Sequence, residues 1–497
     1  MRRPAATVIL GSMAVLAMLA LTPFLDKSLW VDEGASIYSA HLSWAGLWTQ
    51  SHVVDLVLLP YYALLHLWVG VSSSIAWMRV PSLLAFGATV YVAGALALRV
   101  GGVACGVLAS LLTACNPLLI SEALDARPYA LATLAAALAV AMLVRWLDDP
   151  KSRWIWLCCL ASVAALAFQL FSVIVPISAL LVAAAFERDR FRRAWRTLAI
   201  PVGLLFVVTL VAAAVVSGQR GQIAWILRAR GVQIVIDASG VLGPVLTRPQ
   251  GGASYGYAVV IVLIAAAGVA TCGLALVRGV LRPATRTRER IAILLAWAVV
   301  PAASLAAVSL VHPVFVLRYV TPSVPGLAIL VGWIATRAWR LFDSSWAPAT
   351  RTALGALAVC ALVAVLLPGA VSAGRSVTQN IRGAARYIVR HSSSTSAIAL
   401  PDHALASAVE YYLPHGGAGL RLWPQFREQP YIEGLDLRTD RRAVAAEPTN
   451  IWLVEDLSIS DIGRFLATVR KDGYVQLRPA HFSGISFLQV MHLRRTR

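Results

Sequence analysis

Long apolar runs separated by short basic clusters fill the first three quarters of the chain, and this texture ends near residue 373. A bilayer-crossing helix needs about 20 apolar residues. Runs of that kind fall at 5–24, 77–98, 101–120, 128–146, 154–170, 171–186, 197–217, 255–277, 291–311, 320–339 and 352–372. One more apolar run, Leu56 to Val71, is short and carries Pro60 and His66. If it lies along the interface, nineteen Lys and Arg before residue 373 collect on one side of the membrane and eight on the other. If it crosses, that asymmetry is spoiled. The positive-inside rule therefore predicts eleven spans, a cytoplasmic N-terminus and an extracytoplasmic C-terminus.

The first outer loop then runs from Leu25 to Ala76. It holds Trp30, Trp44, Trp48, Trp68 and Trp77 with Tyr38, Tyr61 and Tyr62, residue types that favour the headgroup layer. Apolar positions at Ile37, Leu42, Trp44, Leu47 and Trp48 predict a short interfacial helix within Gly34–Gln50, and Leu56–Val71 forms a second. Past residue 373 the apolar runs shorten. Helices are expected at Arg375–Arg390, Ala404–Leu413 and Ser460–Arg470, with strands at Ala397–Pro401, Ile451–Val454, Tyr474–Leu477 and Ser486–Leu493. This alternation predicts a small extracytoplasmic α/β domain. The expected organisation is a polytopic α-helical membrane domain, 1–372, followed by that α/β domain, 373–497.

Composition agrees. The chain is 59% hydrophobic and 13% charged, against about 25% charged in a soluble protein. Its net charge of +19 sits in clusters between spans, which sets nucleic acid aside. The opening Met-Arg-Arg before an apolar run looks like a signal peptide, but the many spans that follow predict an uncleaved first helix. All six cysteines lie in apolar segments, with no disulfide framework or zinc spacing. No glycine-rich phosphate loop and no metal-ligand cluster is present, and no cofactor is called for.

The polar residues near span ends on the outer side carry the candidate chemistry. They are Asp32 and Glu33; Asp55; Glu122, Asp125, Arg127 and Tyr129; and His312, Arg318 and Tyr319. A carboxylate can take a proton from an attacking hydroxyl, and arginine can hold a phosphate through paired charge-assisted bonds. The plainer reading of each residue is a helix cap, a solvated acid, an internal ion pair, a snorkelling arginine or, for His66 and Trp68, interfacial packing.

Five stretches in order resemble the GT-C superfamily of membrane glycosyltransferases, in particular its protein O-mannosyltransferase and lipid A aminoarabinose transferase branch and its actinobacterial mannosyltransferase-like members. They are Trp30-Val-Asp-Glu-Gly-Ala-Ser, Asp55 through Tyr61-Tyr-Ala-Leu-Leu-His66-Leu-Trp68, Arg79-Val-Pro-Ser-Leu-Leu-Ala, Ala126-Arg-Pro-Tyr-Ala-Leu and Arg318-Tyr-Val-Thr-Pro. The resemblance implies an inverting enzyme of the cell membrane that moves a hexose or pentose, such as mannose, from a polyprenyl-phosphate donor to a cell-envelope glycan, lipid or protein. It maps the base onto Asp32, with Glu33 and Asp55 beside it. It maps the lipid phosphate onto Arg318 and Arg127, with Tyr129, Tyr319, Tyr61 and His66 as further binding residues. Relatives often carry a histidine where this chain has Leu58 or Leu59. The rival readings are a flippase of lipid-linked sugar, which should show inverted repeats and midplane charges, and a non-catalytic assembly protein.

Overall fold

The computed structural model describes residues 3–53, 55–218, 226, 270, 285–342, 348–393, 396–400, 403–413, 421–422, 448–456, 463–484 and 488–496. The expected span at 255–277 lies outside them, apart from residue 270. The described helices begin with α1 (Arg3–Leu21), α2 (Val31–His41), α3 (Trp44–Val53), α4 (Leu59–Trp68), α5 (Ile75–Gly101) and α6 (Val103–Ala114). There follow α7 (Pro117–Ala123), α8 (Tyr129–Asp148), α9 (Ser152–Phe168), α10 (Ile174–Phe186), α11 (Arg188–Arg193) and α12 (Trp195–Ser217). The last are α13 (Thr285–Ser309), α14 (Val324–Phe342), α15 (Pro348–Arg375), α16 (Ile381–His391), α17 (His403–Glu410) and α18 (Gly463–Lys471). Two compact units emerge: Met1–Leu25 with Arg79–Gly374, and Asp26–Met78 with Arg375–Arg497.

The first unit is a helical bundle. Among the described residues seven helices are long and apolar enough to cross a membrane. The bent pair α6–α7, which hydropathy predicts as one straight run, brings the number to eight if it is a single span. The 62° bend falls at Asn116-Pro117. Proline has no N–H to continue the helix, and the Asn116 side chain accepts instead from Leu118 N (3.0 Å) and Leu119 N (3.1 Å), starting a new helix. The apolar stretch over 152–186 divides at Gln169 into α9 and α10, each shorter than a usual span.

Small residues let the helices approach. A Cβ added to Gly94 of α5 would lie 2.1 Å from Ser110 Oγ of α6, and one added to Gly106 would lie 3.0 Å from Gly94 O. Close approach of this kind replaces the hydrophobic drive that lipid cannot supply. Helix α8 buries Ala132, Ala136, Ala137, Ala139, Val140 and Leu143, whereas α12 turns most of its surface outward, as a lipid-facing span does.

The second unit contains a six-stranded sheet: β1 (Ser396–Ala399), β2 (Arg421–Leu422), β3 (Asn450–Asp456), β4 (Tyr474–Gln476), β5 (Ala480–Phe482) and β6 (Leu488–Arg495). Its order is β2-β1-β3-β6-β4, with β5 also paired to β6. Strands β2, β1 and β3 run parallel, while β6 is antiparallel to β3, β4 and β5. In register, Ala397 faces Ile451 and Leu453 faces Met491. Helix α16 buries Ile381, Ala384, Ala385 and Ile388, the i, i+3, i+4, i+7 stripe of a one-faced helix. Arg375 instead ends α15, and residues 376–380, expected among the first turns of α16, lie outside any helix; Asn380 caps α16 by accepting from Gly383 N at 3.0 Å.

The interfacial segment expected within Gly34–Gln50 is two helices, α2 and α3, broken at Leu42-Ser43, and the Leu56–Val71 run yields α4. These helices belong to the same compact unit as the sheet.

Candidate active site

In the helical unit, the end of α7 and the turn before α8 place three charged residues out of solvent: Glu122 (6% exposed), Asp125 (9%) and Arg127 (6%). Ser82 of α5 donates to the Arg127 carbonyl at 3.2 Å and fixes that turn. Tyr129 follows as the first residue of α8. The 3-10 turn Leu317–Ser323 brings up Arg318 and Tyr319. The Arg318 guanidinium carbon lies 5.6 Å from the centroid of the Tyr129 ring, and Tyr319 packs 6.2 Å from Tyr129 and 5.6 Å from Phe171. Three residues singled out from two distant stretches, Tyr129, Arg318 and Tyr319, thus belong to one cluster, and Arg127 lies two residues before Tyr129 in the chain. Phe171 completes it and was missed, because an aromatic inside an apolar run carries no separate signal.

The turn under Arg318 is firmly held. Trp297 Nε1 of α13 donates to Pro322 O at 2.6 Å. Ser309 Oγ accepts from Val314 N (3.1 Å) and Phe315 N (2.8 Å), and Thr321 Oγ1 donates to Arg318 O at 2.8 Å. His312 is exposed.

The acids lie in the other unit. Trp30 is the N-cap of α2, and Asp32 and Glu33 fall in the first helical turn, where the positive end of the helix dipole favours a negative charge. Glu33 is fully buried, while Asp32 is half-buried. In the same helix, burial pushes the Tyr38 phenol up to about 12, so it stays protonated. Asp55 sits in the left-handed region, φ 58°, and accepts a hydrogen bond from Tyr62 Oη at 3.0 Å. Tyr61 and Tyr62 are buried against one another. His66 Nδ1 is 3.0 Å from Ala40 O, and its ring meets Trp44 edge-on at 4.5 Å; it ties α4 to α2 and α3. Trp68 and Trp77 stack 4.7 Å apart and exchange Nε1–carbonyl bonds of 2.8 and 3.0 Å, closing the segment. Trp44, Trp48, Leu67 and Val71 are 54–76% exposed, an outward apolar face of the sort that rests in a headgroup layer.

Chemically, the helical unit offers two arginines flanking Tyr129, one by chain adjacency and one by stacking. Arginine is the side chain suited to holding a phosphate through paired charge-assisted bonds. The second unit offers a half-buried carboxylate at a helix start, suited to accepting a proton. Among the described residues no three His, Cys, Asp or Glu side chains gather as metal ligands.

No family model matches the sequence, and no curated protein matches it. Among solved structures, ArnT from Cupriavidus metallidurans in the apo state aligns with TM-score 0.53 at 15% identity, covering 98% of both chains. The same protein bound to undecaprenyl phosphate aligns with TM-score 0.52 at 15% identity, covering 97% of both. The oligosaccharyltransferase of Archaeoglobus fulgidus in the apo form gives TM-score 0.48 at 10% identity, covering 96% of this chain and 74% of that one. The chain therefore has the fold of ArnT over nearly its whole length, a polytopic helical fold with a small sheet domain.

Proposed function

We propose that the protein is an inverting glycosyltransferase that moves a sugar from a polyprenyl-phosphate donor to an acceptor hydroxyl outside the cytoplasm. The observation that carries this reading is the Arg318–Tyr129 stack beside Arg127, set in a fold shared with a protein that has been solved with undecaprenyl phosphate.

Asp32 takes the proton of the acceptor hydroxyl as that oxygen bonds to the anomeric carbon. The bond from that carbon to the phosphate oxygen breaks, and its electron pair stays on the phosphate. The leaving polyprenyl phosphate is already the conjugate base of an acidic group, so charge stabilisation by Arg127 and Arg318 serves it better than protonation. One base and a cationic cradle then suffice, unlike the carboxylate pair of a glycosidase. Of the three acids, Asp32 fits the base best: it is half-buried at a helix start, whereas Glu33 is sealed from solvent and Asp55 sits in the left-handed region at φ 58°.

The test is transfer of labelled mannose or arabinose from its polyprenyl phosphate by membranes carrying the protein. Asp32→Asn should abolish transfer; wild-type transfer by that variant, or lipid translocation with no transfer by the unaltered protein, sinks the reading. The orientation belongs to the same proposal. Reporter fusions at Arg192 and at the C-terminus should report the cytoplasm and the exterior respectively.

A further inference from the structure

Helix α2 begins without a side-chain cap of its own. Its N-cap is Trp30, whose backbone is extended (φ −129°, ψ 173°) and whose indole caps nothing. The first N–H groups of a helix have no partner within it, and a buried one left unmet is costly. In this protein the partner comes from a residue 348 positions away: Val31 N donates to Gln379 Oε1 at 2.8 Å. Val31 is the first residue of α2, and Asp32 is the next.

The segment leading to Asp32 is held at three further points by the C-terminal domain. Leu29 N donates to Tyr412 Oη at 2.8 Å. Ser28 Oγ accepts from Arg382 N at 3.0 Å. The Arg382 guanidinium grips Asp26 with two bonds, 2.8 and 3.2 Å, and lies 5.2 Å over the Tyr412 ring. Gln379 is itself fixed. It is 3% exposed and immediately precedes Asn380, which caps α16. The backbone of 377–379 also rests on Gly484, where an added Cβ would lie 2.8 Å from Thr378 O and 3.2 Å from Gln379 Cα.

We propose that Gln379 and Tyr412 are positioning residues for the transfer reaction, through which the C-terminal domain caps and aims the helix start that carries Asp32. This rests on the reading of Asp32 as the base. It gives the C-terminal domain, which has no chemistry-bearing motif of its own, a direct part in catalysis.

Two measurements on the full-length protein test it. Amide exchange of residues 28–34 needs no substrate. Gln379→Met, close to isosteric but without the acceptor, should speed exchange there roughly tenfold, the scale of one lost hydrogen bond, and leave β3 and β6 protected. Gln379→Glu keeps an acceptor and should keep the protection. In the mannose and arabinose transfer assay, Gln379→Met should lower kcat at least roughly tenfold with donor KM within about twofold, and Gln379→Glu should restore most of it. Unchanged exchange, unchanged kcat, or a change confined to KM would overturn the proposal. If Gln379→Met does not fold, Tyr412→Phe, which removes the acceptor for Leu29 N together with the hydroxyl's bond to Arg382, is read in the same two ways. Failure of the underlying reading looks different: Asp32→Asn then transfers as wild type, whatever the exchange shows.

Discussion

The guanidinium of Arg318 stacks on the ring of Tyr129, two residues from Arg127, although 189 positions separate the stacked pair. A cation over an aromatic face contributes about 0.5–1 kcal/mol when exposed and about 2 when desolvated. A guanidinium is planar and offers its donors in a fixed fork, which an ammonium does not. Lysine at 318 would keep the charge and lose the plane. Arg318→Lys should therefore raise donor KM about tenfold or more, Tyr129→Phe should stay near wild type, and Tyr129→Leu should approach the lysine variant. Donor-dependent transfer kinetics check this; equal KM values for Arg318→Lys and wild type would remove Arg318 from phosphate binding.

Gly326 supports the same turn from below. A Cβ there would lie 2.6 Å from Trp297 Cγ, and Trp297 holds the Pro322 carbonyl. Gly326→Ala should cost about 1–3 kcal/mol, the usual penalty for overpacking, and should raise donor KM by shifting Arg318. Thermal unfolding in detergent, followed by transfer kinetics, measures both effects. An alanine variant as stable as the wild type would show that Trp297 gives way without consequence.

Asp55 separates a structural acid from a catalytic one. Asparagine adopts the left-handed region as readily as aspartate and still accepts from Tyr62. Asp55→Asn should therefore keep stability within about 0.5 kcal/mol and retain most transfer. Asp55→Val, strained at φ 58° and without an acceptor, should lose about 2 kcal/mol or more. A stable but inactive Asp55→Asn would move the proton-accepting role from Asp32 to Asp55.

His492 makes the sheet domain sensitive to pH. It stacks on Trp452 at 4.1 Å, lies 2.8 Å from Asn450 Oδ1, and has its imidazole pKa lowered by burial first, then by Arg494 and His391. The folded state thus prefers the neutral ring and releases protons on folding. This contribution to stability is complete above the unfolded value of about 6.5 and is lost as the pH falls through the lowered folded value. Protection factors of the β3 and β6 amides, taken relative to the intrinsic exchange rate at each pH, should fall between pH 7.5 and pH 5.5, and His492→Gln should flatten the change.

Much of this was legible in the chain because lipid enforces simple rules. Spans had to be long and apolar, and the sheet domain announced itself by shorter runs. What escaped depended on single residues competing with the pattern. Hydropathy alone ran straight through Asn116-Pro117, although an Asn-Pro pair is a turn signal. The two-residue β2 and three-residue β5 are too short to have a period. The pairing of Arg318 with Tyr129 could be expected only as shared sidedness, since nothing local specifies a cation–ring contact across that separation. The partnership of Asp26–Val31 with Gln379, Arg382 and Tyr412 left no trace in either stretch. Backbone donors look alike in every sequence, and only the fold shows who accepts from them.

That long-range partnership has a consequence for how the protein is made. At about 5–20 residues per second, roughly 20–70 s pass between synthesis of Val31 and of Gln379, the acceptor 348 positions downstream. For that interval the start of α2 waits without its cap. A chain interrupted before residue 379 carries Asp32 but not the group that holds it in place. The start of α2 is therefore completed late, although it was synthesised almost first.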